Sequence, residues 1–132
     1  MLSPQSALIY IMTMVSAADR SMADAELRAI GAITERLPVF AGYDPERLLP
    51  AARQCSDMLK TSNYDAVLAL AADAIPEALR ETAYALACEV AAADGRLPVE
   101  ESWFLGKVRN RLGLDRLIAA AIERGARARY RR

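Results

Sequence analysis

Histidine is absent from the 132 residues, and cysteine occurs only twice. The first absence removes the commonest general base near neutral pH and the imidazole ligand of most zinc sites. The two cysteines, Cys55 and Cys88, stand 33 positions apart with no second ligand beside either, which leaves no zinc-ribbon or zinc-finger spacing. Both lie among apolar helical neighbours, so the expectation is a pair of buried, reduced thiols without a disulfide. No glycine-rich phosphate loop occurs, and no nucleophile stands beside an evident base. The chain is therefore expected not to be an enzyme.

Other shortages bound the fold. One Trp, two Phe and five Tyr are all the aromatic residues. No long Val/Ile/Thr alternation reads as a strand, and no Gly/Ser-rich tract divides the chain. The apolar run from Ala7 to Val15 is broken by Tyr10 and Thr13, far short of a bilayer span, and no basic segment precedes it. A cytoplasmic, soluble protein is expected.

What is present is a composition 54% hydrophobic and rich in Ala and Leu. That favours an all-α fold, about seven helices in a compact bundle over a single domain spanning residues 1–132. Ser3-Pro4 starts a helix with one apolar stripe, Leu8, Ile11, Met12 and Val15. Asp24 to Leu37 reads as a second helix, stopped by Pro38. Asp44-Pro45 opens a stretch to Lys60 that is either kinked at Pro50 or begins there, because proline inside a helix costs about 3 kcal/mol. Ser62 is expected to cap the next helix, and another should run from Pro76 to Ala93 as the central post of the bundle. A helix from Val99 to Leu112 ends at Gly113, and Asp115 caps the last.

A repeat organises these segments. Ala17-Ala18-Asp19 with Glu26 recurs 75 residues later as Ala92-Ala93-Asp94 with Glu101, and Val15, Arg36 and Leu37 match Val90, Arg111 and Leu112 at the same offset. The correspondence predicts two pseudo-symmetric helix-loop-helix units, each with an acidic bend. Two readings of the bends stand side by side. In one, Glu26 and Glu101 sit in first turns, where a carboxylate meets free N–H groups and the positive end of the dipole, while Asp19 and Asp94 bond their own loop amides. In the other, the Asp and Glu of each bend converge, helped by backbone carbonyls and by Asp24 or Glu100, as hard oxygen ligands for calcium or magnesium. The eight-residue Asp-to-Glu span is too short for an EF-hand loop.

The Ala-Ala-Asp-Gly loop followed by Glu-Glu at a helix start resembles the tellurite-resistance TerB-like domains, a family related to a domain of a membrane-anchored J-domain co-chaperone. The resemblance covers nearly the whole chain. It implies about seven helices with duplicated hairpins and acidic loop residues associated with divalent metal: Asp94 and Glu101 first, then Asp19 and Glu26. The chain departs from the pattern at Arg20, which replaces the loop glycine, and at Pro98, where a Ser or Thr cap is usual. The implied role is an interaction module for a protein partner in a stress-response or membrane-associated assembly.

Net charge is zero, but residues 1–106 hold 15 acids against 8 bases and residues 107–132 hold 2 against 9. A rival role follows: Arg124, Arg127 and Arg131, spaced to share a helical face within a basic tail 124–132, would bind phosphate on anionic lipid or nucleic acid. The plainer reading is a frayed, solvated end. Nucleic acid is disfavoured, since Tyr130 is the only aromatic residue interleaved among the arginines. Trp103 beside Phe104 cannot easily place both rings on one buried stripe, which raises self-association as a further expectation.

Overall fold

The computed structural model describes residues 2–16, 24–93 and 102–131. Among them are seven α-helices and no strand: α1 (Pro4–Ser16), α2 (Asp24–Arg36), α3 (Leu48–Thr61), α4 (Tyr64–Asp73), α5 (Arg80–Ala93), α6 (Trp103–Leu112) and α7 (Arg116–Arg129). Three-residue 3-10 turns at Pro38–Phe40, Pro45–Arg47 and Glu77–Leu79 join some of them.

Helix boundaries follow local chemistry. The Ser3 hydroxyl accepts the Ser6 N–H at 3.1 Å, with Pro4 at the first helical position, where a missing N–H costs nothing. Ser102 accepts the Leu105 N–H at 3.3 Å, and one Asp115 carboxylate oxygen accepts from Leu117 and Ile118 at 3.0 and 3.2 Å. Gly113, at φ 66, takes the left-handed turn that ends α6.

Several expectations shift. Helix α3 starts at Leu48, so Pro50 falls in its first turn, where no intrahelical donor is lost. Asn63, not Ser62, caps α4, its Oδ1 accepting the Ala66 N–H at 2.7 Å; Ser62 ends α3. A 3-10 turn delays the helix expected at Pro76 until Arg80. The cap of α6 is Ser102, four residues beyond Pro98 where the resemblance sought one.

The centre of the bundle is shared. Helix α1 is buried on every side from Ala7 to Ser16, ten consecutive residues, rather than along one stripe. It packs against α3, α5, α4 and α2, while α5 packs against α1, α6 and α7. Helix α5 buries Ala83, Tyr84, Leu86, Ala87, Cys88 and Val90 to Ala92, and its small residues allow the close approach of α7 through Ala119 and Ala126. Tyr10 and Tyr84 are the largest fully buried side chains, one on each central helix. Cys55 Sγ sits 3.7 Å from the Tyr10 carbonyl, and the Tyr10 hydroxyl 3.7 Å from Met58 Sδ, so α3 lies against α1 through polarizable sulfur contacts.

The repeat is visible in the coordinates. Moved by 75 positions, α1 falls on α5 to within two residues at each end, and the described part of α6 falls on α2. Burial agrees at matched positions: Val15 with Val90, Ile30 with Leu105, Ile33 with Val108. Arg36 and Arg111 each approach an acid of another helix at 3.6 Å, Glu89 and Asp73 respectively.

Candidate functional site

Each acidic segment of the repeat lies in the sequence between a central helix and the helix that follows it, α1 and α2 or α5 and α6. Val15 and Val90, both 1% exposed, lie in the core four residues before Asp19 and Asp94. Of the four expected ligands only Glu26 is among the described residues; Asp19, Asp94 and Glu101 lie outside them. Glu26 and Asp24 occupy the first turn of α2, where the helix dipole favours negative charge. Asp24 is exposed, whereas Glu26 is half-buried with Oε2 withdrawn from solvent.

These donors suit a hard cation. Carboxylate oxygen is the ligand of calcium and magnesium. Burial pushes the thiols of Cys55 and Cys88 up to about 12, so both stay protonated and neither is a ready thiolate. Both cysteines are free and buried, as their apolar neighbours suggest.

The expected basic tail is largely ordered helix. Helix α7 continues to Arg129, and Tyr130 closes it, its hydroxyl donating to Glu89 Oε1 at 3.2 Å. Arg124 is exposed on the helix, Arg127 is half-buried, and Arg131 follows the helix end, so the three do not form one helical row. Arg116 and Arg129 are also exposed.

Trp103 and Phe104 divide their roles. Phe104 is half-buried and Trp103 is 60% exposed, and Tyr64 at the start of α4 meets both rings, at centroid distances of 5.0 and 5.8 Å. Lys107 lies over the indole at 4.7 Å and pairs with Asp65 at 2.6 Å. Beside this cluster a shallow open cleft is lined by Asp65, Leu68, Lys107, Asn110 and Arg111. Its cations are already matched, Lys107 by Asp65 and Arg111 by Asp73, so it offers little to an added anion.

One polar cluster was not foreseen. The Tyr84 hydroxyl donates to Glu123 Oε2, and Arg109 Nη1 donates to the same oxygen at 2.7 Å and to the Tyr84 oxygen at 3.2 Å. Burial and then the hydrogen bond to Glu123 raise the Tyr84 pKa. Burial alone would lower that of Arg109, but Tyr84 and Glu123 outweigh it and raise it. Every polar group present is engaged by another, so the cluster fastens α5, α6 and α7 together. A signal existed: Glu123 interrupts the apolar line Ala119, Ala126 on α7, and an acid on a buried stripe requires a cationic partner.

No helix among the described residues is long and apolar enough to cross a membrane, and none of them form a group of three metal-ligating side chains. No curated protein and no solved structure matches the chain. A family model does match, described as tellurite resistance protein TerB, over residues 5–123. That span takes in both helix pairs, the two central helices and most of α7, and the chain accordingly belongs to the TerB family.

Proposed function

We propose that the protein is a non-enzymatic interaction module whose two acidic bends bind a divalent cation, calcium or magnesium, and that it serves a protein partner within a stress-response or membrane-associated assembly. The supporting observation is the anchoring of the duplicated bends. Asp19 and Asp94 each stand four residues beyond a buried valine, Val15 near the end of α1 and Val90 in the last turn of α5. A cation drawing Asp19 to Glu26, or Asp94 to Glu101, would tie a central helix to its neighbour and couple occupancy to the core.

The second acidic segment is the stronger of the two in this reading, because Gly95, which tolerates positive φ, stands where the first has Arg20. Two thiols held protonated by burial are consistent with a reducing, cytoplasmic setting.

Thermal melting tests the proposal. Ligand at a hundredfold excess over Kd stabilises the folded state by about 2.7 kcal/mol. The reading expects millimolar calcium or magnesium to raise the midpoint, and Asp94→Ala to remove most of the rise. A midpoint that neither cation moves contradicts it.

A further inference from the structure

The outward side of α7 presents two kinds of side chain together. Leu117 is 81% exposed and Ile118 39%, near the start of the helix. On a helix of 3.6 residues per turn, Leu117, Ala121, Arg124 and Ala128 follow one line, opposite the buried line of Ala119, Glu123 and Ala126. Burying the second line against α5 leaves the first facing outward.

The exposed charge carried by α7 itself is of one sign. Arg116, Arg124, Arg129 and Arg131 are exposed and make no ion pair among the described residues. Of the two acids of residues 107–132, one is buried and the other, exposed, caps the start of the helix. Glu123 is buried beneath Arg109, and the Asp115 carboxylate is taken up by the N–H groups of Leu117 and Ile118. What remains is an apolar strip with unneutralised guanidinium groups along and beyond it.

We propose that this face of α7 docks on the surface of an anionic lipid bilayer, with Leu117 and Ile118 entering the boundary between headgroups and acyl chains and the exposed arginines meeting lipid phosphate and carboxylate. Charge complementarity selects this occupant, and the apolar strip separates it from its rivals. A nucleic acid backbone gains nothing from an exposed leucine, and Tyr130, the one ring nearby, is half-buried and bonded to Glu89. A second copy meeting face to face would bring like-charged arginines together. The helix is already held to the body by Tyr84, Arg109 and Glu123, so docking demands no folding of the segment. The inference deepens the membrane-associated part of the proposed role and is independent of cation binding.

The test is cosedimentation of the full chain with vesicles of phosphatidylcholine alone or with about 30% phosphatidylserine, in EDTA, at low salt and at about 0.3 M. Chelator throughout makes the outcome independent of the acidic bends. The expected result is binding to the anionic vesicles only, weakened by salt. Leu117→Gln with Ile118→Gln should lower partitioning by about tenfold at unchanged charge. Arg124→Gln with Arg131→Gln should lower it and flatten its salt dependence. Both positions on each pair are exposed, and Leu117→Ala with Ile118→Ala, which keeps helix propensity, reads the same loss if the glutamine pair melts early. No binding to anionic vesicles at low salt overturns the proposal. So does binding that both leucine–isoleucine variants leave intact, or binding to a single-stranded oligonucleotide in place of vesicles.

Discussion

Arg109 Nη1 lies 2.7 Å from Glu123 Oε2, and this single contact ties α6 to α7 beneath the surface of the bundle. Glu123 is 10% exposed at its side chain and Arg109 30%, so the pair is partly desolvated on one side and reaches water on the other. Removing the acid strands a guanidinium and the Tyr84 hydroxyl. Glu123→Ala should cost about 3 kcal/mol in denaturant unfolding, at the low end for a buried pair because Arg109 can turn to solvent. Replacing the whole cluster, Glu123→Leu with Arg109→Met and Tyr84→Phe, should recover much of that loss, since no charge or buried hydroxyl is then left unpaired.

Alkaline stability follows from the buried thiols. Burial raises Cys55 and Cys88 to about 12 from an ordinary value near 9, so the folded state holds protons that the unfolded chain releases first. Their contribution is complete below pH 9 and is lost as pH rises from about 9 towards about 12. Tyr84, also raised, adds to the loss above pH 10. Unfolding free energy measured against pH should fall from about pH 9, and Cys55→Ala with Cys88→Ala should postpone the fall to the tyrosine range.

Much of the architecture was legible in the sequence because the bundle's boundaries are set locally. Pro4, Gly113 and Asp115 act through their own backbone and caps, and the repeat declared two matched helix pairs. The central position of α1 was not legible. Its stripe of Leu8, Ile11, Met12 and Val15 reads as one buried face, while Tyr10 and Thr13 read as polar relief, yet both are fully buried because α3, α4 and α5 close around the helix. Ser62 and Asn63 are equally good caps, and only the Asn63 bond to Ala66 distinguishes them. The Tyr84–Arg109–Glu123 cluster joins residues 14 to 39 apart, a relation that no local pattern carries. Of the candidate ligands, Glu26 is placed in the first turn of α2 as its spacing implied.

The C-terminal turn is held by a hydrogen bond rather than by an ion pair. Tyr130 donates to Glu89 at 3.2 Å, and Arg36 reaches the same carboxylate oxygen at 3.6 Å from a side chain 61% exposed. Tyr130→Phe should cost about 1 kcal/mol and speed amide exchange in the last turn of α7. Arg36→Ala should cost under about 0.5 kcal/mol. Deleting residues 124–132 would also remove Ala126 and Tyr130 from the packed bundle, so point variants are the cleaner probe of the arginines.

Gly113 holds φ 66 at the end of α6, and a Cβ there would meet only Arg80 Nη1, at 3.7 Å. Space is adequate, so the cost of Gly113→Ala is backbone strain alone, about 1 kcal/mol. Gly31 has an ordinary φ, and a Cβ there would touch Leu48 at 3.5 Å; Gly31→Ala should be neutral or stabilising in the same unfolding assay.

The claim that the duplicated acidic bends hold a divalent cation is tested most directly by calorimetric titration of calcium and of magnesium into the metal-free protein, alongside Asp94→Ala and Asp19→Ala. The account predicts saturable binding whose stronger component disappears with Asp94→Ala and whose weaker one disappears with Asp19→Ala. Absence of saturable heat for either cation at millimolar concentration, or binding that both substitutions leave unchanged, would contradict it.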